Sequence, residues 1–173
     1  MSQTDWAFTD LLATTRNSAV HLEMRDSYGI GEEATEFGKW CEGWRPEPDP
    51  ATWWNDFHTR VRDATHRGVV FRRARIVSEP ASTYIRYEHD CTYQNIAAGE
   101  SVRWLPRRRA SDLALPGNDF WLFDGHLIMW NHFTGEGASV GPETDDRENL
   151  AKFCATAFEA VWERATPHEE YRI

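Results

Sequence analysis

The spacing of apolar and polar positions divides the chain into short segments of changing period. Phe8, Leu11, Leu12 and Thr15 recur at helical spacing and predict an amphipathic helix over 4–17, with Thr4 and Asp5 as candidate caps. The period then switches to two. In VHLEMRD, Val20, Leu22 and Met24 point one way and His21, Glu23 and Arg25 the other, which predicts a strand with one ionic face. That face is either a row of surface ion pairs or one wall of a polar pocket. A weaker helical spacing through Ala34, Phe37 and Trp40 covers 31–44 and stops at Gly43. The proline-rich connector Arg45 to Pro50 leads to a stronger helix in ATWWNDFHTRVRDATHRG. Its buried stripe is Trp54, Phe57, Val61 and Ala64 or Thr65, with Gly68 where a C-cap belongs. Trp53 and Trp54 diverge by about 100 degrees on such a helix, which favours core packing of at least one over an aromatic binding box. His58 and His66 read as surface residues rather than ligands.

The densest patterning runs from Arg73 to Trp104. VVFRRARIV, Val69 to Val77, has the composition of an inner strand, and Arg73 and Arg75 share its odd face with Val69, Phe71 and Val77. An Arg inside a strand requires a carboxylate or an anionic ligand, because an unpaired buried charge is strongly destabilising. Glu79, Glu88 and Glu100 are the candidate partners. Pro80, capped by Ser78 or Glu79, is predicted to open a helix. In that helix Ala81, Ile85, Glu88 or His89, and Thr92 lie on one side, with Tyr84, Tyr87 and Cys91 beside them. Gly99 ends it, and SVRWL is a second strand.

Arg107, Arg108 and Arg109 begin a stretch that reads as a solvated loop. Asp119 to Phe133 is a hairpin with a two-residue turn at Asp124-Gly125, and His126, Ile128, Trp130 and His132 share one face. His126 and His132 stand about 20 Å apart along a strand, too far to hold one metal. The last helix is capped by Thr144 or Asp145 and stopped by Pro167. Its apolar stripe is Leu150, Phe153, Cys154, Ala157, Phe158, Val161 and Trp162. These elements predict a single α/β domain over 1–173: a mixed β-sheet flanked by helices, with a long amphipathic C-terminal helix.

Composition narrows the function classes. A chain of 173 residues, 40% hydrophobic and 13% aromatic, buries a real core and is not disordered. A net charge of −9 argues against direct binding to nucleic acid or anionic lipid, and three consecutive Arg are too short a run to reverse that. No apolar run approaches the roughly 18 residues of a membrane span, and no leader pattern is present, so a cytoplasmic setting is expected. Cys41, Cys91 and Cys154 are odd in number and widely separated, which argues against a disulfide framework. Lys39 and Lys152 are the only lysines, a bias attributed to base composition.

Candidate chemistry is sparse. The chain has no Gly-rich phosphate loop, paired-Cys zinc pattern, HExxH motif or nucleophile elbow, so no cofactor and no metal is predicted. Among the titratable groups Glu23, Glu79, Glu88, His89, Glu100, Asp119 and His132, an enzyme would draw its acid or base from Glu23, Glu88, Glu100 or Asp119. Arg25, Arg75, Glu79, Arg86, Arg103, Trp104 and Trp121 are the candidate ligand-binding residues. The competing role, a structural network in which the carboxylates pair with Arg25, Arg75, Arg86 and Arg103, is the commoner use of such charges.

The segments VHLEMRD, RARIVSEPASTYIRYEH, AGESVRWLPR, LPGNDFWLFD and AFEAVWERATPHEEY together resemble the actinobacterial proteins grouped as domain of unknown function 6879. The likeness runs from the first helix to the tail. It implies a regulatory setting by association, because members often lie beside genes for helix-turn-helix regulators and small partner proteins. The order of elements is also similar to one half of a phospholipase-D-like fold. The His-x-Lys of those enzymes is absent, since none of the seven His is followed by Lys two positions later. The expected function is therefore a non-catalytic module for a small anionic ligand or a protein partner, accessory to a helix-turn-helix regulator. The alternative is a small enzyme in which Glu or Asp works beside Arg that holds an anionic substrate.

Overall fold

One seven-stranded mixed sheet, in the order β6-β5-β4-β1-β2-β3-β7, organises the chain. The computed structural model describes residues 3–29 and 34–173, without the side chains of 3–7 and 34. The elements in chain order are α1 (Gln3–Thr14), β1 (Ser18–Glu23), α2 (Ala34–Cys41), α3 (Asp56–His66), β2 (Val70–Val77), α4 (Thr83–Ala98) and β3 (Glu100–Pro106). Then follow β4 (Asp119–Phe123), β5 (Leu127–Phe133), β6 (Ser139–Asp145), α5 (Glu148–Arg164) and β7 (Thr166–Pro167). Strands β1, β2 and β3 run parallel, and the other neighbouring strands of the sheet pair antiparallel. The single α/β domain expected from the pattern is present. The caps expected at Thr4 and Asp5, and the start of a helix at residue 31, lie outside the described residues.

Alternation decides what each face carries. Val20 and Leu22 of β1, Ala74 and Ile76 of β2 and Phe120 and Leu122 of β4 turn to α5, where Ala151, Cys154, Phe158 and Val161 complete an apolar core. The opposite face carries two smaller clusters. Ala19, Phe71, Trp121 and Phe123 pack beneath α1 and α3, while Val77, Val102 and Trp104 pack beneath α4 with Trp40 and Tyr171. Between those two clusters lie His21, Glu23, Arg73 and Arg75. The ionic face of β1 is thus buried, not a surface row.

Local chemistry moves several boundaries. The helix after β2 begins at Thr83, where Ser82 Oγ accepts the Ile85 N–H, so Pro80 precedes it instead of opening it. His58 is 6% exposed, not a surface residue, because it forms a reciprocal capping box with Asn55 at the start of α3. Phe153 faces out of α5 at 38% exposure, and Ala151 takes its place on the buried stripe. Thr144 and Asp145 end β6, and Asp145 receives the Arg147 N–H just before the helix. The hairpin turn holds three residues, Asp124 to His126, with positive φ at Asp124 and Gly125. Arg107 is no solvated loop residue. It donates to the Met24 and Ile76 carbonyl oxygens and to Asp26, joining the ends of β1 and β2.

Candidate functional site

Each strand contributes to the charged centre by register. Parallel pairing sets His21 opposite Arg73 and Glu23 opposite Arg75, and antiparallel pairing sets His21 opposite Trp121. Glu23 then bridges the two guanidiniums, with Oε1 at 2.6 Å from Arg73 Nη1 and Oε2 at 2.5 Å from Arg75 Nε. Arg73 also grips Glu100, through Nε at 2.7 Å and Nη2 at 3.2 Å, and Asn95 donates to the same carboxylate at 2.9 Å. Arg75 donates to Thr92 Oγ1 at 2.7 Å and to Glu88 Oε1 at 3.4 Å. Aromatic faces complete the setting: Arg73 lies over Trp121 at 5.4 Å and Arg75 over Trp104 at 4.9 Å.

The electrostatic consequences follow from burial against pairing. Burial alone would raise the Glu23 carboxyl, but Arg75 and Arg73 outweigh it and hold Glu23 below the usual carboxylate range. His21 is pushed down to about 3, first by burial, with Arg73 and Arg75 adding to it against the opposing pull of Glu23. The ring is therefore neutral. It stacks on Trp121 at 4.2 Å between centroids, and Asn131 Nδ2 stands 3.2 Å from Nε2. Its Nδ1 makes no hydrogen bond.

Asp119 sits where the start of β4 meets the end of β1. Its carboxylate accepts the Met24 N–H at 2.9 Å and the Tyr28 hydroxyl at 2.5 Å. Burial pushes it up to about 6, and Glu23 nearby adds to the shift. The Tyr28 hydroxyl is raised in turn, by burial first and then by Glu23 and Asp119.

These groups floor a cavity of about 590 Å³ between α4, α3 and the β5–β6 edge. His21, Glu23, Arg73, Arg75, Asp119 and Trp121 line its base, and the exposed Glu36, Asn55 and Ser139 stand at its rim. Of the candidate acids, Glu23, Glu88 and Asp119 reach this cavity, while Glu100 lies behind Arg73 at 3% exposure. Of the candidate ligand-binding residues, Arg75 and Trp121 line it and Trp104 packs under Arg75. The others lie elsewhere. Arg25 covers the Phe133 ring, and Arg86 is exposed on α4. Arg103 stacks on Trp162 on the α5 side, and Glu79 binds Arg108 and Tyr171. His21, Tyr28, His58, Arg73 and Asn131 line the cavity without having been singled out for a site. The odd-face alternation of β1 and β2 carried the signal for His21 and Arg73, whereas Tyr28, in a loop, had none. Among the described residues no group of three His, Cys, Asp or Glu is arranged to hold a metal.

A family model described as "Domain of unknown function (DUF6879)" matches residues 6–173. A search of curated proteins returns no match. Among solved structures, NucT from Helicobacter pylori superposes with a TM-score of 0.55 at 8% identity, covering 95% of this chain and 91% of that one. The phospholipase D family member Nuc from Salmonella typhimurium gives a TM-score of 0.52 at 11% identity, covering 98% and 91%. At such identities the likeness shows a shared fold, as the order of elements suggested.

Proposed function

From the premise that the chain belongs to the DUF6879 family, we propose that it is a small-ligand-binding module whose site is the cavity on the charged face of the sheet. One observation carries this reading: the buried Glu23–Arg73–Arg75–Glu100 network floors a ligand-sized cavity of about 590 Å³. A network of that kind contributes little net stability compared with apolar residues of similar volume. Its placement at the bottom of a cavity gives it a role in fixing the groups that a ligand meets. Glu23 and Glu100 have both carboxylate oxygens engaged by guanidinium groups, which suits a scaffold better than an acid–base catalyst.

Fragment titration followed by NMR tests the proposal, read on the Trp121 indole and Asn131 amide signals. Fragments are expected to shift those signals, and Gln94→Trp, which fills the cavity from α4, is expected to abolish the shifts. Binding that survives Gln94→Trp unchanged, or a fragment library that never touches these signals, refutes it.

A catalytic reading is favoured by Asp119 alone, whose carboxyl burial pushes up to about 6 beside the Tyr28 hydroxyl. It predicts a substrate whose turnover is lost in Asp119→Asn while binding persists. The proposal extends to a cytoplasmic setting and to a helix-turn-helix regulator as the protein that reads the bound state. The support is the likeness to family members found beside such genes. Failure of the folded chain to co-purify with a helix-turn-helix regulator of the kind encoded beside family members, with or without ligand, removes that extension.

A further inference from the structure

We infer that the cavity takes an organic cation, an ammonium or guanidinium group with an oxygen acceptor beside it, on a partly apolar body. The inference rests on the reading of the cavity as a ligand site and specifies its chemistry. All six guanidinium nitrogens of Arg73 and Arg75 already donate to Glu23, Glu88, Glu100 or Thr92. Three carboxylates thus stand against these two guanidiniums, so an incoming anion meets like charge beside each of them.

The charge balance runs the other way. Among the described residues, four carboxylates line the cavity (Glu23, Glu36, Glu88, Asp119) against two guanidiniums (Arg73, Arg75), an excess of two negative charges. Tyr28, Tyr84, Tyr87, Trp121 and Phe133 contribute aromatic rings to its lining, and aromatic rings favour a cation over an anion as neighbour. The chain's own Arg25 shows the pattern, 5.2 Å over the Phe133 ring.

A second observation points to a ligand independently of charge. His21 is 7% exposed and lines the cavity, and its Nδ1 makes no hydrogen bond, with Glu23 Oε1 standing 3.5 Å away. With Asn131 Nδ2 donating to Nε2, the proton of the neutral ring is on Nδ1, which then offers an N–H to an oxygen adjacent to the cationic centre. A buried donor left open in this way is matched by a ligand acceptor.

The test compares three probes of one shape: choline, its uncharged carbon isostere dimethylbutanol, and the anion dimethylbutanoate. Each is titrated into the full chain and read on the Trp121 and Asn131 signals. Choline is expected to bind about tenfold more tightly than either of the others, the discrimination that a cation over aromatic faces supplies. Asp119→Asn should weaken choline by about tenfold, and Glu36→Gln, an exposed rim substitution that leaves the core untouched, by about twofold, with dimethylbutanol unaffected. Equal binding of dimethylbutanol, tighter binding of dimethylbutanoate, or no choline response overturns the inference. If the uncharged or anionic probe shifts the cavity signals, the ligand-site reading survives. If the broader fragment library is silent too, both fall.

Discussion

Glu23→Gln is the most direct perturbation of the charged centre. The native carboxylate receives Arg73 at 2.6 Å and Arg75 at 2.5 Å, and both guanidiniums are at most 8% exposed. The amide keeps the shape but carries no charge and replaces one acceptor oxygen with a donor. Arg73 retains Glu100, whereas Arg75 keeps only Thr92 and the longer 3.4 Å contact to Glu88. Breaking a buried pair by removing one partner typically costs about 3–5 kcal/mol. For a domain of this size that corresponds to a fall in Tm of roughly 6–20 °C. Urea denaturation gives the free energy and calorimetry the midpoint, with Asp112→Asn at the exposed Arg164 pair as a control whose midpoint stays at the wild-type value. The sign with pH is also fixed. Glu23 is held below its ordinary range, so its contribution is fully present above that range and is lost as pH falls toward the folded value. The variant should therefore lose less stability in acid than the wild type. A destabilisation under about 1 kcal/mol, or an unchanged acid slope, would refute the view that Glu23 bears the two charges.

Two further outcomes are expected. His21, faced by Glu23 on its own strand, Arg73 and Arg75 on β2, and Trp121 and Asn131 on β4 and β5, should stay neutral down to about pH 3. Its contribution is present above the unfolded imidazole value of about 6.5 and is lost as pH falls from there, so an NMR midpoint between 6 and 7 would contradict the burial argument. Asp124→Ala removes the acceptors for the Arg16, Asn17 and Ser18 N–H groups, held at 2.9, 2.6 and 2.9 Å, at a residue with φ of +48°. A loss of about 1–3 kcal/mol is expected by denaturation, with Asp124→Asn milder because Asn tolerates the left-handed region.

The elements with a clean period were legible in the sequence. The odd faces of β1 and β2, the hairpin and the stripe of α5 all follow from alternation or helical spacing, and the odd faces led to the charged centre. Alternation also contained a warning about the site. Arg103 and Trp104 are neighbours on one strand and must face opposite ways, so one cavity cannot receive both. Arg103 indeed turns to α5 and Trp104 to α4. What stayed hidden depends on distant partners. β6 reads SVGPETD, with Gly and Pro inside it and mostly exposed side chains, and becomes a strand by pairing with β5. β7 is two residues long and exists through its pairing with Arg103 and Trp104. Arg107 looked like solvent-facing charge because nothing local shows that the carbonyl ends of β1 and β2 lie beside it.

The placement of the charged centre follows from the change of strand direction at β1. This strand runs parallel to β2 but antiparallel to β4, so the end of β1 and the start of β4 lie together. Open α/β sheets bind ligands outside the carboxyl ends of their strands, where the order of strands reverses. Here β2 and β3 extend the sheet to one side of β1, and β4 returns to the other. Glu23 and Asp119 meet at that point, and Arg75 arrives from the neighbouring strand. Stability does not require the centre to be filled with apolar side chains. The α5 face carries a continuous core, and clusters under α1 and α3 and under α4 anchor the charged face on both sides. Arg suits the centre better than Lys would, since a planar fork reaches two carboxylates at once and still lies flat on an aromatic ring. Arg73 does both, bridging Glu23 and Glu100 over Trp121. A lysine could offer Glu23 and Glu100 a point charge but could not span them in that geometry, so Arg73→Lys should open the network although it conserves the charge.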